Sequence, residues 1–289
     1  MITTTHDSLL LALGAFESLR TPGRITAALR SEGRRALIRA FEELDHATQM
    51  HVETKARQMD SDSINAVLFG DPDFPESLIV NGKPLMPVIF YKGNKDLFYA
   101  DSVGMCGSRN VSEQGLEAAD RCGIAVSRKH LTIVSGYAKG VDTATHLAAL
   151  RNGGSTVIVL AEGMDSFRIK REFSKDFDAE RTLVLSQFAP TQTWQAHAAM
   201  ARNAIIFGLS KALIVIEAGE KGGTLAAGEG ALKIGRPVLV VDFGDRTPEG
   251  NRKLLGHGAV PVRSTQALFE ALDSIPEESH SPSTEVKLF

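Results

Sequence analysis

With 289 residues, 43% of them hydrophobic and 23% charged, the chain can bury a substantial core, which excludes disorder as its main character. Thirty-two Lys and Arg against 35 Asp and Glu leave a formal charge of -3, so no whole-protein cationic field draws polyanions, and any nucleic-acid site must be local. Two cysteines, Cys106 and Cys122, without metal-type spacing, exclude a disulfide scaffold or structural zinc module and read as reduced, buried thiols.

From the N-terminus, Met1 to Ser8 is polar and has no cationic run leading into an apolar stretch, so no secretory signal is expected. No apolar run approaches the ~20 residues of a membrane helix. A cytoplasmic protein without a membrane partner follows as the expectation. Residues 1–60 form a small helical module: Leu9, Leu10, Leu13, Phe16 and Leu19, then Ile25, Leu29, Ala36, Leu37, Ala40, Phe41 and Leu44, recur at helical spacing around a turn at Thr21-Pro22-Gly23. Residues 61–101 read as an extended connector, rich in Pro and Gly between Asp71 and Pro87, with a short lead-in strand at Val88–Tyr91.

Residues 102–272 carry the clearest pattern. Continuous apolar, β-rich runs begin near residues 103, 131, 156, 183, 212 and 237, a spacing that accommodates a strand, a helix and a return loop. Helical patterns fill most gaps, at Glu113–Arg128, Thr143–Asn152, Trp194–Leu209 and Thr224–Ile234. Strands without alternation are covered on both faces. The fold class is therefore α/β, a doubly wound, mostly parallel, Rossmann-like sheet. Residues 273–289, rich in Ser, Pro and Glu towards the end, are expected to be a disordered tail.

In such a sheet ligands bind beyond the carboxyl ends of the strands, so the loops there are the ones to read. Gly107-Ser108-Arg109-Asn110 follows the first strand and leads into a helix for which Ser112 is an N-cap candidate. That helix start offers free N–H groups, and Arg109 adds a fork suited to phosphate. Ser135-Gly136-Tyr137-Ala138-Lys139-Gly140-Val141-Asp142 follows the second strand, with two glycines that admit close approach and Lys139 as a point charge. It matches neither the dinucleotide fingerprint nor the P-loop. Asp142 reads as a cap or loop-ordering acceptor. Arg202 and Asn203 stand adjacent in an otherwise apolar helix, where the arginine needs either a protein carboxylate or a phosphate. Glu217 to Thr224 is a third glycine-rich loop opening a helix, and Gly250-Asn251-Arg252-Lys253 again mixes small and basic residues. Together these loops describe an anion-accepting ledge. No catalytic set, metal cluster or cofactor motif accompanies it, since no His lies near Ser108 or Ser135 in sequence to activate them. His130 and His146 read as ordinary helix histidines. Binding rather than chemistry is expected.

The motifs GSRN (107–110), SGYAKGVD (135–142), RNAIIFGLS (202–210), EAGEKGGTLAAG (217–228) and EGNRKLLGHGA (249–259) resemble, in the same order, those of the DprA/Smf family of DNA-processing proteins. The resemblance spans roughly residues 70 to 262 and is loose over the N-terminal helices. It implies an extended Rossmann-like fold, pairing of two copies, and binding of single-stranded DNA that is protected and handed to a RecA-type recombinase in transformation or recombination. Carried over by motif, Gly107, Ser108, Arg109, Ser135, Gly136, Lys139, Gly140, Asp142, Arg202 and Asn203 would line the phosphate path, with Thr224, Asn251 and Lys253 as weaker members. The chain departs from the family at Gly222-Gly223-Thr224, where Ser-Gly-Ser is common, and at Asp242-Phe243, where Pro-Gly is common. Too few residues follow Leu272 for the winged-helix domain of many members.

Two other classes compete. The Lonely Guy phosphoribohydrolases share the eight-residue spacing seen here between Arg202 and Ser210, and the Gly-Thr at 223–224, but their catalytic glutamate position falls on Ala227, with Glu229 displaced around the helix. A sensor of a nucleotide-derived ligand could use the same ledge. Tyr137 is the one aromatic candidate for base stacking among the loops.

Overall fold

A computed structural model describes residues 5–275. Four helices come first: α1 (Thr5–Leu19), α2 (Pro22–Glu32), α3 (Arg34–Glu42) and α4 (His46–Ser61). The expected turn at Thr21-Pro22-Gly23 is the start of α2. The Thr21 hydroxyl accepts from Arg24 N, and Pro22 occupies the first turn, where a missing N–H costs nothing. Asp45 caps α4 by accepting from Thr48 N. Leu9, Ile25, Leu37 and Met59 close over Leu68, Val88, Phe90 and Ile158, so the helices share a core with the sheet.

Residues 61–101, expected as an extended connector with one lead-in strand at Val88–Tyr91, contribute two strands to the main sheet. Strand β1 (Asn65–Leu68) pairs antiparallel with β4 (Val88–Gly93), and β4 pairs antiparallel with β8 (Thr182–Ser186). Between them, β2 (Ile79–Val80) and β3 (Lys83–Pro84) form a small hairpin whose tip, Asn81-Gly82, has φ of 52° and 69°. Both residues are in the left-handed region that a type I′ turn requires and Asn-Gly supplies.

The remaining strands are parallel: β5 (Ser102–Cys106), β6 (Thr132–Gly136), β7 (Thr156–Val159), β8, β9 (Leu213–Val215), β10 (Val238–Val241) and β11 (Val260–Val262). Among the described residues the sheet has nine strands in the order β1-β4-β8-β7-β6-β5-β9-β10-β11. Successive strand residues face opposite cores. Val103, Met105, Ile133, Ile214 and Leu239 pack under α5 (Glu113–Arg128), α6 (Val141–Arg151) and α11 (Thr265–Asp273). Val134, Leu213, Val215 and Val240 pack under α8 (Asn203–Leu209), α9 (Gly223–Lys233) and α10 (Glu249–Gly256). Both faces are therefore apolar, which explains the runs without alternation and makes the fold the doubly wound α/β sheet expected.

The expected helix over Trp194–Leu209 is broken in two. A short α7 (Ala196–Ala201) precedes α8, Arg202 sits at the joint, and Trp194 lies in the loop before α7. Of the expected tail, residues 276–289 lie outside the described residues. No described helix is long and apolar enough to cross a membrane.

Candidate nucleic-acid interface

The chain leaves β5 in one direction through β6, β7 and β8, and returns to the other side of β5 with β9. The crevice beyond the carboxyl ends of β5 and β9 is thus the topological switch point, where open α/β sheets bind ligands. A cleft of about 440 Å³ lies there, lined by Cys106 at the end of β5 and residues 107–110 after it, by Gly219, Lys221, Gly223 and Thr224 after β9, and by Trp194, Met200, Arg202 and Asn203 from the α7–α8 region. A second cleft of about 300 Å³ adjoins it, lined by Tyr137, Lys139 and Glu162. Arg109, Ala138, Trp194 and Arg202 line both.

Close backbone approach builds the floor. A Cβ on Gly107 would lie 2.4 Å from a Val141 methyl carbon, and one on Gly140, whose φ is +80°, would lie 2.5 Å from the Ser108 carbonyl oxygen. Val141 N also donates to that carbonyl. The loops after β5 and β6 are therefore clasped together, and the glycines are what lets them meet. The Ser108 hydroxyl accepts from Asn110 N and fixes the turn that carries Arg109.

Arg202 is buried behind this floor. Its Nη1 donates to the Val159 carbonyl at 2.6 Å and its Nη2 lies 3.3 Å from Asp142 Oδ2. Asp142 in turn accepts from Ala138 N. Of the two partners open to Arg202, the carboxylate is the one present. Gly136 is required beside it, because a Cβ there would sit 1.6 Å from Nη1. The guanidinium thus ties the end of β7 to α6 against Gly136 at the end of β6, while its Nε has no hydrogen-bond partner. His146 lies beneath the same loop, its Nε2 donating to the Gly136 carbonyl and its Nδ1 2.6 Å from Thr156 Oγ1. Burial pushes this imidazole down to about 4, so it is neutral and structural. The thiols are buried as expected. Burial raises both, Cys122 to about 12.

The other candidate residues divide between frame and surface. Ser135 is fully buried and donates to the Met105 carbonyl. Asn251 is also fully buried; it accepts from Ala218 N and donates to the carbonyls of Ile216 and Val241. It staples the ends of β9 and β10, and its side chain does not reach the cleft. Lys253 lies 3.5 Å from Glu220, outside both clefts. Thr224 lines the larger cleft, and so does Asn203, which donates to the Gly223 carbonyl.

One expectation about anion capture changes position. Ser112 does cap α5, accepting from Gly115 N. However, the Glu217 carboxylate already takes Ser112 N and its hydroxyl, so the start of α5 holds an internal anion. The start of α9 is more open: no side chain caps it at Gly222, and nothing lies within 4 Å of a Cβ built on Gly222 or Gly223. Gly223 and Thr224 at that start line the larger cleft, and the first N–H groups of a helix lack intrahelical partners.

Lys221, Trp194, Met200 and Glu162 line the clefts without having been among the candidates. Lys221 sits on the larger cleft, and its place in a glycine-rich loop was the available signal. Trp194 is 48% exposed with the Arg109 guanidinium 5.0 Å from its ring centre. Tyr137, the expected stacking candidate, is instead packed against Phe167 and Phe173, bonded through its hydroxyl to Lys170 N, and covered by the Lys170 ammonium. Among the described residues Lys139 and Lys221 are exposed and make no ion pair, and no group of three or more His, Cys, Asp or Glu is placed to hold a metal. Ala227, at the phosphoribohydrolase glutamate position, is buried, and Glu229 is exposed 3.8 Å from His257.

Comparisons with known proteins converge on one family. The family model for DNA recombination-mediator protein A matches residues 65–273. The DNA processing protein DprA of Streptococcus pneumoniae is 39% identical over 182 residues, 62% of this chain and 64% of that protein. Its Bacillus subtilis counterpart is 33% identical over 190 residues, 64% of each chain. These matches span somewhat less than two thirds of the relatives' own length. The X-ray structure of the pneumococcal protein superposes with a TM-score of 0.71 at 28% identity, covering 96% of this chain and 100% of that one. The Helicobacter pylori DNA processing protein A, whose structure was described for its single-stranded DNA binding mode, shares the fold with a TM-score of 0.62 at 20% identity, over 72% of this chain and 95% of that one. With the matched region covering most of the chain and both clefts, the protein belongs to the DNA recombination-mediator protein A family.

Proposed function

We propose that the paired clefts bind single-stranded DNA by its phosphates, protect it, and present it to a RecA-type recombinase in transformation or recombination, with the protein acting in the cytoplasm as a homodimer. The observation that carries this reading is the set of cations at the switch point. Arg109, Lys139 and Lys221 line the two clefts and lack carboxylate partners, beside an uncapped α9 N-terminus. Arg202 adds no net charge, because Asp142 neutralises it. A narrow cationic groove on a chain of net charge -3 favours a flexible strand that can enter it over a rigid duplex. The likeness to DNA-processing relatives supports the same ligand, and membership of a recombination-mediator family supports the recombinase. The protein acts by binding: the phosphoribohydrolase carboxylate position is Ala227, buried in the core, so glycosidic cleavage has no acid or base there.

The test is a length and salt series with oligo-dT. Affinity rises from one nucleotide to about ten, and log affinity falls with log salt by about 0.7 per phosphate contact. Arg109→Ala and Lys139→Ala each reduce that slope by about 0.7. A cleft of about 440 Å³ also falls within the roughly 300–1,000 Å³ of small-ligand pockets, which favours a mononucleotide sensor as the second reading. Saturation at one nucleotide, with no gain on lengthening, would select it. Sedimentation of the full chain at micromolar concentration checks the homodimer, and co-sedimentation with a RecA-type filament checks the recombinase.

A further inference from the structure

Acids and bases balance over residues 1–60, eight of each, but they are not mixed. Residues 20–39 hold six arginines and one acid, Glu32. Arg34 serves the fold, forking onto Asp71 at 2.7 and 2.8 Å, and Arg39 pairs with Glu32. Arg20, Arg24, Arg30 and Arg35 are exposed and, among the described residues, make no ion pair. From Gly23 to Ser31 the exposed positions of α2 are Gly23, Arg24, Ala27, Arg30 and Ser31, a stripe over roughly a third of the helix circumference. The exposed positions of α3 are Arg35, Ile38, Arg39 and Glu42, and the Arg39–Glu32 pair joins this stripe to the end of α2. Small residues separate the forks of α2, so a broad anion can come close.

Local structure gains little from these cations. Arg24 stands in the first turn of α2 and Arg35 in the first turn of α3, and neither turn holds an acid. A helix start carries positive potential, so a cation there is disfavoured. No side chain caps α3 at Gly33, and nothing lies within 4 Å of a Cβ built on Gly23 or Gly33. Arg20 follows α1 with a φ of 63°, a conformation that glycine adopts at lower cost. Charges that burden the fold at three places, with no partner inside it, call for one outside. Guanidinium forks beside an uncapped helix start suit phosphate oxygens. A convex pair of helices cannot enclose a single strand, but it matches the phosphate row of a rigid duplex. Ile38 is the one large apolar side chain exposed on these two helices, too little to enter a bilayer or seat an apolar partner helix.

We propose that the α2–α3 surface, through Arg20, Arg24, Arg30 and Arg35, is a second nucleic-acid site that takes the phosphate backbone of duplex DNA. It is separate from the clefts, which none of residues 5–60 lines, and it does not depend on the single-stranded reading.

The test follows the anisotropy of a labelled blunt duplex of about 20 base pairs with the full chain, from about 50 mM salt upward, where phosphate contacts dominate. The triple variant Arg24→Ala, Arg30→Ala, Arg35→Ala lowers the duplex salt slope by about 2.7, at about 0.9 per contact, and keeps the wild-type affinity for oligo-dT. Unlabelled oligo-dT in excess leaves the duplex bound. Arg35→Glu weakens duplex binding yet raises the urea midpoint, because an acid is favoured at a helix start. An unchanged duplex slope in the triple variant overturns the proposal and leaves the cleft reading standing. Displacement of the duplex by oligo-dT also overturns it, since the clefts would then take both. Arginine-dependent binding to phosphatidylserine vesicles without duplex binding overturns it in favour of a membrane surface, and a lowered midpoint in Arg35→Glu overturns it in favour of a structural role. Duplex binding that needs these arginines, in a protein that fails to bind oligo-dT, supports this surface and overturns the cleft reading.

Discussion

Arg202 and Arg109 line the same cleft in opposite ways. Arg202 is 7% exposed, balanced by Asp142 and held by the Val159 carbonyl. Arg109 is exposed and rests on an indole, with no carboxylate beside it. A cation already neutralised by a buried carboxylate has little field left for a ligand, whereas one left unpaired at a rim gives up little to bind phosphate. The buried residue builds the cleft and the exposed one uses it. The same division separates Asp142, Ser135 and Asn251, which hold strand ends, from Lys139 and Lys221, which face solvent.

The largest effect that tests this division is on folding. Arg202→Ala leaves Asp142 as an uncompensated buried charge and opens a void beside Gly136. It is expected to lower unfolding free energy by about 3–5 kcal/mol, read as a shift in the urea midpoint. Arg202→Lys should not restore the loss, because a point charge cannot reach both Val159 O and Asp142 as the fork does. Arg109→Ala should leave the same midpoint nearly unchanged. Equal destabilisation by both alanine variants would break the comparison.

The next effect is a pH dependence from the same frame. His146 is held at about 4 by burial, below its ordinary value near 6.5. Between those values the unfolded chain takes up a proton that the folded chain excludes. Stability is therefore full above pH 6.5 and falls as pH drops towards 4, by about 3 kcal/mol from this group. His146→Gln flattens that part of the profile in denaturant melts at pH 7, 6, 5 and 4.5. An unchanged slope would show that another group governs the acid limb.

Much of this division was hidden in the sequence for a reason of distance. The strands β5 to β10 were legible because each is a continuous apolar run, and the glycine loops because their place after a strand is local. The partner of Arg202 stands 60 residues away, and the carboxylate that fills the start of α5 stands 105 residues away. No local pattern reveals such pairs. The strand at Val88 was legible, but β1 was hidden, since a four-residue strand carries little periodicity, and so was the antiparallel pairing of both with the sheet. Asn251 was more accessible to reasoning: Gly250, Asn251 and Leu254 are buried together on α10, and the three-residue step from Asn251 to Leu254 marks an inward face. The helical pattern over Trp194–Leu209 includes Trp194, whereas the helix begins at Ala196.

That inward face gives a smaller test. Asn251→Ala leaves Ala218 N and the carbonyls of Ile216 and Val241 without their partner, at about 1–3 kcal/mol of stability for the buried groups exposed to that loss. Oligonucleotide binding at a temperature where the variant is folded should keep the wild-type salt slope. A slope reduced by about 0.7 would instead make Asn251 a phosphate contact.

The smallest expected effect decides where the cationic surface ends. Lys253 is partly exposed and lies 3.5 Å from Glu220, a surface pair worth less than about 1 kcal/mol. Because Glu220 already balances it and it lines neither cleft, Lys253→Ala should change neither stability nor the salt slope measurably, whereas Lys221→Ala, on the same side of the sheet, should lower the slope by about 0.7. The two lysines differ mainly in whether a carboxylate stands beside them. If Lys253→Ala lowers the slope as much as Lys221→Ala, the strand exchanges Glu220 for phosphate and the path continues onto α10. If only Lys221→Ala does so, the path stops at the start of α9, and ion pairing within the protein sets its edge.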